Sequence, residues 1–467
     1  MENNFKDKKI LIMGLGLHGG ALAVVKWLLK NEAQLTITDL KTRQQLKPTL
    51  DKLQKISGSK NIKLILGKHD IKDFAGQDLI IQNPGVPKDS KYLISARKNN
   101  IPIINEAVMF FGLYPGRTIG ITGTRGKSTT ATILHKILAT KIKHNVVAGN
   151  IATNPMLEVL DKLKKNSWPV IELSSWQLEN MEEYDISPDI AVVTNVMVDH
   201  LNRYKDFAEY RKAKYAIVKN QKQGDIAVLN HDNSNSKNFA KRTDAKVYFY
   251  SLKSKTNGAY LKDDWIYFAK TKVMSTEDIQ LLGEHNLSNI LAAITVAKLI
   301  GVSDANIKKA VVGFRGVDYR LQYKATIDGI KIYNDSTSTT PDATIAALRA
   351  LRGRHVVLLA GGEDKKLDYK NLAKEIDKIA DFLVLLSGSG SDKLYAELEK
   401  IKFPSYRMVS NIQDLKNGWR LALKYAHKQE GSILFSPAAA SFNMFINEFD
   451  RAKKFDELIN GTKQKKK

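Results

Sequence analysis

The stretch that most constrains this chain is Ile119-Gly120-Ile121-Thr122-Gly123-Thr124-Arg125-Gly126-Lys127-Ser128-Thr129-Thr130. A short apolar run breaks into glycines, and Lys-Ser-Thr then opens a helical pattern from Ala131 to Leu138. The order is strand, phosphate loop, helix, which commits the region to a sheet with helices packed on it. The glycines let backbone N–H groups turn inward and approach phosphate closely, and the helix start adds the favourable end of its dipole. Lys127 is placed to neutralise β- and γ-phosphate charge, and the Ser128 hydroxyl to ligate Mg²⁺. The strict pattern asks for a glycine five residues before Gly126, where Ile121 stands; the spacing present is Gly123-Thr124-x-Gly126-Lys127-Ser128. A bare surface turn of this composition would be unremarkable. Between an apolar strand and a helix it reads as a nucleotide site.

The same alternation repeats on both sides of this loop. Lys9 to Met13 is an apolar strand ending in Gly14-Leu15-Gly16-Leu17-His18-Gly19, a helix follows from Ala21 to Leu29, and strand Gln34 to Thr38 closes on Asp39. This is a dinucleotide-type βαβ fingerprint, with the acid placed to accept from ribose or base. Strands follow at Ile62 to Leu66, Leu79 to Gln82 and Ile101 to Ile104, with a rigid turn at Asn83-Pro84-Gly85-Val86-Pro87. Asn105 to Gly116 reads as a connection. Beyond the phosphate loop, Asn145 to Ala148 closes in Gly149-Asn150, and Val170 to Leu173 carries Glu172 at its end. An acid there, beside a phosphate loop, is the usual place for a Mg²⁺ ligand. Ile190 to Val196 runs into Asp199-His200, at the mouth of the sheet where ligands gather. A helix over Asp206 to Lys219 contains Lys214, which nothing local separates from its many lysine neighbours. Strand Asp225 to Leu229 leads into a hairpin-rich stretch ending near Met274. Asn286 and Asn289 lie three apart on a helix running to Leu299, on one face, suited to gripping a purine. A third block follows Gly316. Its strands Ile330 to Tyr333, His355 to Ala360, Phe382 to Leu386 and Ile433 to Phe435 each precede a helical pattern, which gathers their loops at one edge.

The 467 residues exceed one ordinary core. The pattern divides them into three α/β domains: a Rossmann-like one over 1–105, a central phosphate-loop one over 106–316, and a Rossmann-like C-terminal one over 317–467. With no cysteine there is no disulfide framework and no thiolate metal site. No apolar run reaches the roughly 18 residues a membrane helix needs. The polar N-terminus lacks a signal-peptide pattern, so a cytoplasmic protein is expected. A net charge of +24 asks for an anionic partner, but the lysines are spread along the chain and no nucleic-acid-binding motif is present. A lysine-rich solvated surface is the expectation, with no nucleic acid and no membrane insertion.

Read in order, Gly-Thr-x-Gly-Lys-Ser-Thr, Glu-Leu-Ser-Ser-x-Gln-Leu-Glu from Glu172, Asn-Val-x-x-Asp-His-x-x-Arg-Tyr from Asn195, Tyr-Arg-x-x-Lys from Tyr210, Gly-x-His-Asn-x-x-Asn from Gly283, Asn-Asp-Ser from Asn334 and Ser-Pro-Ala-x-Ala-Ser from Ser436 resemble the Mur ligases. These are the ATP-dependent amide-forming enzymes of peptidoglycan precursor synthesis. The resemblance spans essentially the whole chain. The opening Gly-Leu-Gly-x-x-Gly domain and the Glu-Leu-Ser-Ser stretch are most similar to members that add D-glutamate to UDP-N-acetylmuramoyl-L-alanine through an acyl phosphate. The resemblance implies that Leu17, His18, Asp39, Leu40 and Gly85 hold the UDP moiety and that Asn150 faces the muramoyl part. It implies ATP phosphates on Gly123, Thr124, Gly126, Lys127, Ser128 and Thr129, and adenosine with its phosphates on Asn286, Asn289, Arg320 and Asp335. Two Mg²⁺ ions would be held by Ser128, Glu172, His200 and Lys214, the last as a carbamate. Thr339, Lys365, Ser441 and Phe442 would surround the incoming amino acid. A monomer acting on small molecules is implied.

Several positions depart from that pattern. Arg125 occupies a loop position commonly held by asparagine. Thr337 stands where a lysine usually follows Asn-Asp-Ser, Tyr319 replaces a histidine, and Glu448 puts an acid where an aromatic usually encloses glutamate. These keep open a relative that adds L-glutamate or another amino acid to the same sugar nucleotide. Outside the class stand a nicotinamide-dependent enzyme, which leaves Gly123 to Ser128 and Glu172 unexplained, and a basic nucleic-acid-binding ATPase.

Overall fold

The computed structural model describes residues 4–464, apart from His18, 152–153, Asn202, 405–407 and 427–430. They fall into two compact units. The first comprises Met1–Asp278 with Ser288–Val311, the second Ile279–Leu287 with Val312–Lys467.

The first unit holds three sheets. Strands β1 (Lys9–Met13), β2 (Gln34–Asp39), β3 (Lys63–Leu66), β4 (Leu79–Gln82) and β5 (Ile103–Ile104) form a parallel sheet in the order β3-β2-β1-β4-β5. Ile10 to Met13 are buried throughout, because helices cover both faces of such a sheet and leave no polar side for alternation. The chain leaves β1 toward β2 on one side and returns as β4 on the other. That reversal opens a crevice at the C-terminal ends of β1 and β4. The stretch 105–116, expected as a connection, contains the helix Glu106–Leu113. Asn105 caps it, its side chain accepting from Val108 N at 2.9 Å, and the apolar Ala107–Phe110 are buried.

The second sheet joins β6 (Ile119–Thr122), β7 (Val147–Gly149), β8 (Val170–Glu172), β9 (Ile190–Val193), β10 (Ile226–Asn230) and β11 (Lys246–Tyr250). All are parallel, in the order β11-β10-β9-β6-β8-β7. The loops after β6, β8 and β9, neighbours at the centre, therefore open at one edge. The hairpin-rich stretch is a small antiparallel sheet of β12 (Ala259–Lys262), β13 (Trp265–Phe268) and β14 (Thr271–Ser275).

The second unit is built on β15 (Gln322–Ile327), β16 (Ile330–Asn334), β17 (His355–Gly361), β18 (Ala380–Leu386), β19 (Met408–Ile412) and β20 (Gly431–Phe435), ordered β15-β16-β20-β17-β18-β19. Only β15 is antiparallel, joined to β16 by a two-residue turn whose Asp328 and Gly329 both have positive φ (51° and 80°). Helix Glu284–Leu299 carries Asn286 in its first turn, within the second unit, and Asn289 in the first.

Candidate functional site

The phosphate loop leaves β6 and enters helix Lys127–Leu138 through Gly126, whose φ is 84°. Gly123 has φ 153°, and a Cβ there would overlap Thr194 Oγ1; one on Gly126 would overlap the Asn289 side chain. Both glycines are therefore required by conformation and by close approach. The loop is pinned from the β9 side. Thr124 N donates to Asn195 O at 2.8 Å and Arg125 N to Asn195 Oδ1 at 2.9 Å, while Thr194 Oγ1 donates to Arg125 O at 2.6 Å. Lys127 lies across the loop, its Nζ donating to Gly123 O (3.0 Å) and Thr124 O (3.2 Å). Ser128 and Thr129, in the first turn, are buried.

Around this loop the same unit gathers Glu172, Asp199, His200, Tyr210 and Lys214. Glu172 is 1% exposed; its Oε1 accepts from Asn150 Nδ2 at 3.2 Å, while its buried Oε2 has no hydrogen-bond partner. A buried, unpartnered carboxylate oxygen beside a phosphate loop is what a hard cation would satisfy. Among the described residues no three His, Asp or Glu side chains converge at metal-ligand spacing. The expected donors are instead mixed: a hydroxyl, a carboxylate, an imidazole and a modified amine. His200 has φ 55°, and its ring sits 5.6 Å from that of Trp176 and 5.8 Å from that of Tyr210. Lys214, on helix Phe207–Lys219, is 2% exposed, with Nζ 4.9 Å from the Tyr210 ring centre. Burial, and then the positive charge of Lys127, push its amine well below the ordinary lysine value, against the pull of Asp199 and Glu172.

At the first crevice, the reading of Asp39 as a ligand group gains a second aspect. Its Oδ2 accepts from Leu15 N (2.9 Å) and Gly16 N (3.0 Å), and its Oδ1 from Lys41 N (2.8 Å). The carboxylate thus ties the glycine loop to the end of β2. Asn83 ties it to β4, donating from Nδ2 to Gly14 O at 3.1 Å and accepting from Gly85 N at 3.2 Å. Leu17 is half-buried, Gly85 exposed and Leu40 64% exposed at the rim; His18 lies outside the described residues. Arg203 stands in the sequence only as a member of the Asn195–Tyr204 motif, with no role assigned to it. It donates to Pro84 O (3.2 Å) and to Glu179 Oε2 (3.2 Å) and lies 4.7 Å over the Trp176 ring, linking the Asn83–Val86 turn to the His200 neighbourhood.

In the second unit Asp335 is buried at the end of β16. Its carboxylate accepts from Leu321 N (2.8 Å) and Ser436 Oγ (2.7 Å), and burial pushes its pKa up to about 6. Arg320 is exposed, between Tyr319 and Leu321, which both have positive φ (64° and 44°). Lys365 donates to Thr339 Oγ1 at 2.9 Å. The Ser441 hydroxyl is buried without a hydrogen-bond partner, and Phe442 is 68% exposed. Asn286 is buried, donating to Leu282 O at 2.8 Å. The sequence also gave no hint of Arg451, 1% exposed, which donates to Ser336 O (2.8 Å), Ser336 Oγ (3.1 Å) and Ala439 O (3.2 Å) and so holds two loops of the unit together.

Parallel sheets, a phosphate loop at the centre of the second and a further parallel-sheet unit after it define a phosphate-loop α/β protein built from several domains. Three family descriptions match it in chain order: Mur ligase MurD-like, N-terminal domain over residues 8–105; Mur ligase middle domain over 121–297; and Mur ligase, glutamate ligase domain over 319–439. The UDP-N-acetylmuramoylalanine–D-glutamate ligase of Roseiflexus sp. (strain RS-1) is 35% identical, over 97% of this chain and 98% of that protein. The enzyme of the same name from Koribacter versatilis (strain Ellin345) is 35% identical over 99% of both. Among solved structures, the UDP-N-acetylmuramate-alanine ligase MurC from Thermotoga maritima shares the fold with a TM-score of 0.63 at 20% identity, over 97% of this chain and 100% of that one. The MurF ligase from Thermotoga maritima, solved with ADP, does so with a TM-score of 0.61 at 17% identity, over 100% of both. The chain belongs to the Mur ligase family.

Proposed function

We propose that this protein is an ATP-dependent ligase that joins D-glutamate to UDP-N-acetylmuramoyl-L-alanine in peptidoglycan precursor synthesis. The observation that carries the chemistry is the gathering of Glu172, with its unpartnered buried oxygen, and the buried Lys214 around the phosphate loop. The substrates follow from relatives similar over their whole length.

A carboxylate is a poor electrophile, so the γ-phosphoryl group of ATP passes to it first, giving an acyl phosphate. The glutamate amine then attacks that carbonyl, and phosphate leaves. Gly123, Thr124, Gly126, Lys127, Ser128 and Thr129 line the polyphosphate, and the Lys127 amine with the backbone N–H groups of the first helical turn meets the charge that develops during transfer. An amine driven toward its neutral form, as at Lys214, can form its N–C bond to CO₂ and release a proton to water, leaving a carbamate, an oxygen donor. Ser128, Glu172, His200 and the Lys214 carbamate would hold two Mg²⁺ ions, which supply positive charge to the phosphoryl oxygens. Leu17, Asp39, Leu40 and Gly85 bind the uridine diphosphate and Asn150 the muramoyl group. Asn286, Asn289, Arg320 and Asp335 serve the nucleotide, and Thr339, Lys365, Ser441 and Phe442 the amino acid. The chain works as three domains, 1–105, 106–316 and 317–467, in the cytoplasm, as a monomer, without nucleic acid; no described helix is long and apolar enough to cross a membrane.

Thr337 favours a second reading. Its hydroxyl donates to Tyr319 O at 2.7 Å where the resemblance would place a lysine, which leaves L-glutamate or another amino acid as the alternative. Phosphate release from ATP and UDP-N-acetylmuramoyl-L-alanine, with D-glutamate and each of the twenty standard amino acids, tests both. Release with D-glutamate alone supports the first; release with L-glutamate alone selects the second; release stimulated only by DNA or RNA overturns the ligase reading.

A further inference from the structure

Arg125 has no part in the functions assigned so far, yet it stands inside the phosphate loop between Thr124 and Gly126. Its backbone is held by Asn195 and Thr194, with Arg125 N bound at 2.9 Å and Arg125 O at 2.6 and 3.1 Å. That anchoring fixes where its side chain starts. The guanidinium Nη1 donates to Asp199 Oδ2 at 3.2 Å, next to His200, and the side chain keeps 34% of its surface exposed. Its positive charge is felt at Tyr210 and at the buried Lys214 amine. Arg125 therefore brings a second cation, besides Lys127, to the side of the loop that faces Glu172, His200 and Lys214.

We propose that Arg125 is a further catalytic residue, a charge carried within the phosphate loop that contacts the γ-phosphoryl oxygens as the group moves from ADP to the acceptor carboxylate. The inference rests on the ligase reading above. In that step the bond between Pγ and the β-phosphate bridging oxygen breaks, the bond between Pγ and the carboxylate oxygen forms, and ADP leaves with the electron pair. Charge builds on the equatorial oxygens of the transferring group, where a planar guanidinium forms paired N–H···O contacts that an ammonium does not. Asp199 holds the guanidinium over the loop until the more highly charged phosphoryl group draws it away. An arginine supplied in this way to phosphoryl transfer typically contributes on the order of 10³-fold or more to turnover.

The test compares wild type with Arg125→Gln and Arg125→Lys in two measurements. The first is steady-state phosphate release with ATP, the UDP-sugar and glutamate. The expected result is a fall in kcat on the order of 10³-fold for both variants with KM for ATP nearly unchanged. The second is the affinity for ADP alone and for ADP with aluminium fluoride, a planar mimic of the phosphoryl group, both with Mg²⁺ and the UDP-sugar present. Arg125→Gln should keep the ADP affinity of wild type and lose the tightening that fluoride brings. Equal loss of ADP binding would make Arg125 a structural part of the loop, and unchanged tightening would remove it from the reaction; either overturns the proposal. A wild type that binds both forms and releases no phosphate with any amino acid would overturn the ligase reading instead, and the fluoride comparison would still decide the role of Arg125.

Discussion

Glu106 offers a stability prediction separate from catalysis. It lies in the first turn of helix Glu106–Leu113 and is 8% exposed. Its Oε1 accepts from Leu157 N at 3.2 Å, and its Oε2 lies where a Cβ on Gly20, at the start of helix Gly20–Lys30, would come within 3.6 Å. Burial pushes its pKa from 4.5 up to about 7; the Leu157 and Met156 N–H groups oppose that rise, and the charge of Glu158 adds to it. Because the folded value is above the unfolded one, ionisation costs nothing below pH 4.5. The cost grows as pH rises and is complete above about pH 7. A shift of this size amounts to roughly 3 kcal/mol at about 1.4 kcal/mol per unit. Glu106→Gln removes the charge and keeps an oxygen for Leu157 N, but its amide puts a donor where an acceptor was, a loss of about 1 kcal/mol. The variant should therefore be about 2 kcal/mol more stable than wild type near pH 8 and about even or slightly less stable near pH 5. Urea unfolding at both pH values, followed by tryptophan fluorescence, measures the difference. Parallel pH profiles for the two proteins, or a variant weaker at pH 8, would refute the reasoning.

Lys127→Ala should lower turnover on the order of a hundred- to thousandfold at saturating ATP with an unchanged far-UV circular dichroism spectrum; near-normal turnover would remove the phosphate-loop assignment. Asp39→Ala strips the acceptor from the Leu15, Gly16 and Lys41 N–H groups, so KM for the UDP-sugar should rise with KM for ATP little changed. Equal rises in both constants would count against a role confined to the first crevice. Lys214→Ala should be nearly inactive and partly rescued by added formate or acetate, while Lys212→Ala, on the exposed face of the same helix, should be close to neutral. Equal loss in the two variants, or none in either, would remove Lys214 from the site.

Much of the architecture was legible because parallel strands buried on both faces read as short apolar runs, and each is punctuated by a glycine-rich or hydroxyl-rich loop. The edge of the second unit's sheet was harder to see. Gln322–Ile327 alternates polar and apolar residues, with Tyr323 53% exposed. Its period-2 pattern is weak beside the apolar runs of the central strands, although Asp328-Gly329 is the dipeptide that a tight hairpin turn favours. Met408–Ile412 begins beside Ser405-Tyr406-Arg407 and contains Ser410-Asn411, so it carries little of the apolar signal of its neighbour Ala380–Leu386. The helix at Glu106–Leu113 reads as a connection in the sequence because its apolar residues run together instead of recurring at helical spacing. What marks its start is Asn105 and the acid after it, a cap signal that stands out only once the segment is known to be buried.

Site residues divide along a similar line. The phosphate loop and Glu172 were visible because their chemistry is tied to strand ends, and strand ends can be read. Lys214 was hidden by composition, as one lysine among many, but its helix gives it away: Tyr210, Ala213, Lys214, Ala216, Ile217 and Val218 are the buried positions, so the lysine stands on the buried, otherwise apolar face. A lysine placed there is an expense the fold retains only if the amine does something other than carry charge into water. Asp39 and Arg203 could not be read in the same way. Which way the Asp39 carboxylate turns depends on Gly14 and Gly16 holding positive φ (91° and 63°), which aims two N–H groups at it. Arg203 reaches Pro84 only when a loop of the second sheet meets a turn of the first, and Glu179 only when that loop packs on the helix Ser175–Glu183. Local pattern therefore locates the groups proposed to act on phosphate. The contacts that hold those groups still are set by tertiary approach, and a single sequence does not display them.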